Sequence, residues 1–382
     1  MSIAVRLAIV GGIALTAAAV VPGTSQAADH TGNSAGASGT SGEVFVQTDA
    51  VGGNAVAVYD RAGDGTLRAA GTYATGGLGG VLTGSVVDHL ASQGSLAYDR
   101  AHGLLYAVNA GSNTVTVFAV TGNGLIRRQV ISSGGSFPVS ITMHGNLVYV
   151  LNARDGGSVQ GFVRAGETLV KVPAWNRALG LDPAQAPEFT HTPGQVAFTP
   201  DGSRLVVTTK GNGNDIDVFG VGPLGAPSAA PAVNADPGNV PFAVSFDTGG
   251  HLAVAEAGDN AVATFTISPN GTLTLAARLA TGQAGTCWIA PDGSDFYASN
   301  AGSGTLSGIG DTGSGQLQAL GNTAADAGTV DATASPGGQY LYAQTGANGI
   351  VDEYHVASGG ALTKIGSVTV PNAAGGEGIA AS

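Results

Sequence analysis

The chain has 382 residues, 43% of them hydrophobic and 10% charged, with 63 glycines and a formal net charge of −12. The apolar fraction is too high for a disordered chain, and short Val, Tyr, Phe and Leu runs punctuated by Gly, Asn and Asp point to strands and turns rather than helices. Beyond Arg127-Arg128 there is no basic cluster, which argues against nucleic acid or an anionic membrane as partner.

Taken in chain order, Arg6 and the apolar run Leu7 to Val21 before Ser25-Gln26-Ala27 read as an export signal over residues 1–27. No membrane insertion is expected, because the run is short and rich in Gly and Ala. Cleavage would remove Arg6 and take the charge from −12 to −13. Residues 28–42 are a Gly/Ser/Thr/Ala tether, expected to be disordered. The rest, 43–382, is expected to be one domain of a secreted or extracytoplasmic monomer. Cys287 is the only cysteine. An exported fold without internal disulfides must rely on packing, and in Cys287-Trp288-Ile289 the thiol reads as buried and inert.

Internal repetition decides the architecture. One unit runs Ser95 to Tyr98, a turn, Leu104 to Val108, a polar loop, Thr114 to Phe118, a Gly turn and Leu125 to Ile131. It recurs over Val139–Val172, Gln195–Val233, Phe242–Leu279, Thr286–Leu320 and Thr329–Val370. Pro200-Asp201-Gly202, Pro291-Asp292-Gly293 and Pro336-Gly337-Gly338 repeat the first turn, where Pro presets φ and Gly accepts the left-handed region. A Gly shortly before Leu marks the third turn at Leu67, Leu125, Leu169, Leu224, Leu273, Leu317 and Leu362. Seven marks predict an all-β, seven-bladed β-propeller with four antiparallel strands per blade. The first unit has only three strands, and Gly378 to Ala381 supplies the missing one, so both termini are expected to share one blade and leave no open edge.

Innermost strands line a central channel. The loops that enter them, with those joining second to third strands, surround one mouth, the default ligand site. Second-to-third-strand loops begin at Asn109, Asn152, Lys210, Glu256, Asn300 and Gln344, and the longest entering loops are 76–94 and 175–193.

Tyr106-Ala107-Val108-Asn109 with Ser112 to Phe118, then Phe198-Thr199-Pro200-Asp201-Gly202 and the terminal Glu377-Gly378-Ile379-Ala380, make the chain resemble lactonase-type propellers. That family includes 6-phosphogluconolactonase and the fungal carboxymuconate lactonising enzymes. The resemblance implies a metal-independent, cofactor-free lactonase or cycloisomerase whose cleft holds a His, two Arg and a Glu. Guanidinium groups suit an anionic substrate, and His with Glu suits proton transfer at a lactone. Carried onto this sequence, the His place falls on Gly194 beside Gln195, one Arg place on Phe242 and the other on Ala301. Glu256 alone survives, so the anion clamp is gone.

Glu256 and, as a substitute acid or base, His191 are the catalytic candidates, each set against a bland reading as a loop carboxylate and a solvated loop histidine. Gln195, Lys210, Arg154, Asn300 and Asp331 are the ligand-binding candidates. Lys210 and Arg154 have the alternative of surface pairs with Asp215 or Asp155, and Asp331 that of a buried structural hydrogen bond. No metal site is expected: Asn212 to Asp215 and Asp64-Gly65 lack a spaced acidic set. His102 and His251 read as turn residues. Three functions follow: a lactonase-like propeller that binds an extracellular saccharide, cell-wall component or protein at its channel mouth; a lactone hydrolase or lactone-forming cyclase using Glu256; or an interaction module acting through its rim loops.

Overall fold

A computed structural model describes residues 41–382 apart from Asn123, Ser294 and Thr312; the expected export signal and the tether to residue 40 lie outside the described residues. Seven four-stranded antiparallel sheets follow one another around a ring. Blade 2 is representative, with strands Leu96–Asp99, Leu104–Asn109, Thr114–Thr121 and Gly124–Ser132. First strands of neighbouring blades pack on one another as the inner ring. Second strands are almost wholly buried between blades, as in Leu104–Asn109, Leu252–Glu256 and Asp295–Asn300. Fourth strands alternate exposed and half-buried residues, as in Leu67–Ala74, the pattern of an outer edge with one wet face.

Ring closure is as the repeats predict. Ile379–Ala381 pairs with Glu43–Gln47, matching Val44 to Ala381, Phe45 to Ala380 and Val46 to Ile379. At the end of the tether, Ser41 is held by the carbonyl of Arg61.

A recurring tyrosine staples three of the blades to the next. From second strands, the hydroxyls of Tyr149, Tyr297 and Tyr342 donate to the carbonyls of Gly225, Gly360 and Gly65 in the third turn of the following blade. At Gly65, before Leu67, the glycine has a physical cause. Gly65 has φ +87, and a Cβ there would lie 2.2 Å from a Tyr340 ring carbon.

Two expectations shift. Six of the marking leucines open a fourth strand, but Leu224 is 88% exposed in a side hairpin closed by a Val221–Pro227 bridge. The fourth strand of blade 4 starts only at Ala232, because Pro227 and Pro231 cannot donate to a ladder. The second long loop starts later than expected, since Thr168–Ala178 continues the fourth strand of blade 3 and Trp175 stacks on Tyr149 at 6.3 Å.

Gly65→Ala should destabilise the fold by about 2 kcal/mol or more, through backbone strain and the clash with Tyr340. Tyr342→Phe, losing one hydrogen bond, should lose about 1 kcal/mol. Urea unfolding of the two variants against wild type checks the order.

Candidate functional site

Second-strand ends share one register. Asn109 opposes Thr114 and Asn300 opposes Thr305, and each asparagine Nδ2 donates to hydroxyls of the third strand, Thr114 and Thr116 or Thr305 and Ser307, at 2.9–3.1 Å. Asn300 also accepts from Thr286 at 2.6 Å. This ligand-binding candidate is therefore fully occupied within its own blade. Glu256 stands at the same register, opposite Ala261. There alanines at 261 and 263 leave room for Arg278, which pairs across from Ala263 on the fourth strand. Its Nη2 and Nε each lie 2.7 Å from one Glu256 oxygen, and Asp236 of blade 4 lies 3.3 Å from Nη2. Glu256 is thus fully buried and engaged by the outer strand of its own blade. Burial pushes its carboxyl up to about 7, against the lowering by Arg278.

Where the lactonase resemblance places a His, Gly194 leaves no space for a side chain. A Cβ would lie 2.5 Å from the Phe242 carbonyl oxygen and 2.9 Å from Thr208 Oγ1. Phe242, in one Arg place, is 6% exposed, packs edge-on against Trp288 at 5.1 Å and carries the Lys210 ammonium 5.2 Å from its ring centre. Gln195 beside Gly194 uses Oε1 to accept from Val244 N at 2.6 Å. Ala301, in the other Arg place, continues the backbone with its N–H bonded to Gly285 O at 3.0 Å.

The long loop 76–94 crosses this region and binds several blades. Gln93 N–H donates to Gly194 O at 3.2 Å. Its side chain bridges the Ile289 main chain of blade 6 in both directions at 2.9 Å, and the Trp288 indole donates to Ser92 O at 2.7 Å. Ser92 Oγ donates to Val139 O of blade 3. Lys210 does not form the expected surface pair with Asp215. It is 1% exposed, and its Nζ donates to Ala91 O at 2.6 Å, Phe189 O at 2.7 Å and Thr192 Oγ1 at 3.1 Å.

Beneath the loop lies a group of buried carboxyls that sequence reasoning reached only through Asp331. Asp88 accepts from the main-chain N–H groups of Leu90, Ala91 and Ser92. Glu377 accepts from Gly94 and Ser95 N–H, while its own N–H donates to Asp49. Asp331, 4% exposed on the inner strand of blade 7, accepts from Ala332 N–H and faces Glu377. Burial pushes Asp49 and Asp331 up to about 7 and Asp88 to about 6, and raises Glu377 well above the carboxylate range with help from the other three. Burial also drives Lys210 down to about 7, against the raising by Asp88. The neighbouring Cys287 is partly exposed rather than buried as expected, and desolvation pushes its thiol up to about 12. Glu377 was visible in the terminal motif, but nothing local in the sequence brings residues 49, 88, 331 and 377 together. Among the described residues no three His, Cys, Asp or Glu side chains are placed to hold a metal ion.

Arg154 and His191 do meet, in a rim cavity of about 40 Å³ shared with Glu188 and Asn212, room for about one water. Arg154 pairs with Glu188 through Nε at 2.6 Å and Nη2 at 3.1 Å rather than with Asp155, and lies 4.2 Å over the Phe137 ring. Arg154 holds Glu188 down at about 2. His191 Nδ1 faces Thr190 Oγ1 and Pro187 O, both at 2.9 Å. Glu256 contacts neither residue, so the two catalytic candidates sit at separate places. His102 and His251 lie against Asp99 and Asp247 of their own turns at 2.7 Å.

No family model matches the sequence, and no curated protein matches it. Solved structures match its fold. A 6-phosphogluconolactonase candidate from Bacteroides fragilis superimposes with a TM-score of 0.72 at 17% identity, over 91% of this chain and 99% of that one. The periplasmic gluconolactonase of Pseudomonas aeruginosa gives 0.70 at 18% identity, covering 89% and 98%. The virginiamycin B lyase of Staphylococcus aureus gives 0.52 at 13% identity, covering 76% and 88%. The architecture is therefore a seven-bladed β-propeller, the fold these structures share with it. Hydrolase and lyase names both occur on it, so chemistry must be argued from the site.

Replacing Glu256 by Gln should destabilise the protein by about 2–4 kcal/mol, because a buried partner of Arg278 is removed. A double-mutant cycle with Arg278→Leu should show the two losses to be strongly non-additive in urea unfolding. Stability should also fall as pH rises from 5 to 7. Asp49, Asp88, Asp331, Glu377 and Glu256 have raised values when folded, so the folded state binds more protons than the unfolded chain in that window. Glu188 and Asp201, both held at about 2, contribute stability already complete at pH 5. Thermal melts at constant ionic strength should give a higher Tm at pH 5 than at pH 7.

Proposed function

We propose that this chain is a lactonase-like propeller acting outside the cytoplasm as a binding protein for a neutral saccharide, a cell-wall component or another protein, presented at the channel mouth. The observation that carries the reading is the Gly194 position: the Phe242 carbonyl occupies the space a catalytic side chain would need, and Gln93 covers its main chain. With Phe242 and Ala301 in the two Arg places, the mouth has no clamp for a phosphate or dicarboxylate. Export rests on Arg6, the apolar run to Val21 and Ser25-Gln26-Ala27. Rim loops around Arg154 and His191 supply polar groups suited to hydroxyl-rich ligands.

Two observations favour a second reading, a lactone hydrolase or lactone-forming cyclase. Glu256 is held at about 7, where a carboxyl can exchange protons near neutral pH, and structurally similar propellers carry gluconolactonase names. Proton release from a panel of neutral and phosphorylated sugar lactones separates the two. The binding reading expects no turnover from folded protein, together with a saccharide or cell-wall fragment that raises Tm. Turnover that Glu256→Gln lowers by about 100-fold or more, in a variant still folded, would establish the enzyme instead.

A further inference from the structure

We propose that residues 76–94 are a proton-linked lid over the central channel, closed while Asp49, Asp88, Asp331 and Glu377 share protons and released when those protons are lost. The geometry is that of a lid. The segment starts at Gly76-Gly77 and ends at Gly94, and Gly76 and Gly94 have φ of +84 and +85, giving hinges at both ends. Between them Leu82 and Leu90 are fully buried, whereas Val86 on the outer side is 73% exposed. The closed position is held by polar latches: Lys210 on Ala91, the Trp288 indole on Ser92 and the two-way Gln93–Ile289 bridge. Such bonds can be exchanged for water when the segment swings out.

The proton linkage follows from what the lid covers. Asp88 travels on the lid. Facing it are Asp49 from blade 1, Asp331 from blade 7 and Glu377 at the entrance to the closing strand, all less than one-tenth exposed. Glu377 holds the lid directly, through Gly94 N–H and Ser92 Oγ. The cation among them is Lys210, which also feels Cys287 and Glu188; the lid's own His89 is held towards its neutral form by burial. Four carboxylates in a desolvated space, with one ammonium beside Asp88 alone, repel more than they attract.

When the lid opens and water enters, the four acids return towards ordinary carboxylate behaviour. The closed state then binds more protons between about pH 4 and 7, so closure weakens as pH rises through that window. Lys210 acts in the opposite sense at higher pH. It is down at about 7 when closed and rises on hydration, so from pH 7 upward alkali favours closure again. Opening is therefore greatest near neutrality.

Cys287, the only cysteine, sits on the strand the lid grips and reports its movement. The rate of its modification by 4,4′-dithiodipyridine in the full folded protein is divided by the rate for the urea-unfolded chain at the same pH, which cancels the thiol's own ionisation. The normalised rate should rise by about 10-fold or more from pH 5 to pH 7 and stay constant in low urea, the sign of a local opening. Asp331→Asn should slow labelling at pH 7 and flatten the profile, and Trp288→Phe, which deletes one latch, should speed labelling several-fold at both pH values. A wild-type normalised rate independent of pH overturns the proposal, as does an unchanged profile in Asp331→Asn. If Asp331→Asn does not fold, the wild-type profile and Glu377→Gln decide in its place.

Discussion

Three residue pairs, Val44 with Ala381, Phe45 with Ala380 and Val46 with Ile379, join the two ends of the chain, and the rest of the molecule is arranged around that joint. A ring of sheets has no edge only if first and last strands meet. Here the residue leading into the last strand is Glu377, whose carboxyl binds the loop over the channel mouth and whose N–H binds Asp49. Ring closure, the charge in the channel and the covering of the mouth therefore share one short segment, and a change at Glu377 is felt by all three.

Between three pairs of neighbouring blades the same contact recurs. A tyrosine from a buried second strand reaches a glycine carbonyl in the next blade's turn, and each of those glycines has a positive φ. Blade 4 keeps the contact although its outer strand is displaced by prolines: Gly225, in the side hairpin, still receives Tyr149.

The architecture was legible because its signals are local. Pro-Asp-Gly turns, Gly before Leu and apolar runs of strand length each report the conformation of a few consecutive residues, and their period counts the blades. Candidate site residues fared unevenly for the opposite reason. Glu256 was found where expected, but its partner Arg278 lies 22 residues on, admitted by alanines at 261 and 263 whose smallness is meaningful only once strands are in register. Lys210 looked like a surface cation because it opens a polar loop. Its burial depends on Ala91, Phe189 and Thr192 arriving from two other loops. Asp88, Asp49 and Glu377 are spread over more than 300 residues, and no window of sequence contains their meeting.

Gly194 has a bearing on how such a scaffold can change. A substitution there does not merely lack a partner; its first carbon would strike a main-chain oxygen of the adjacent blade, which no rotamer can move aside. Placing a side chain at that position requires the blade 4 and blade 5 inner strands to separate. The packing thus closes this position to any side chain introduced by a single-residue step.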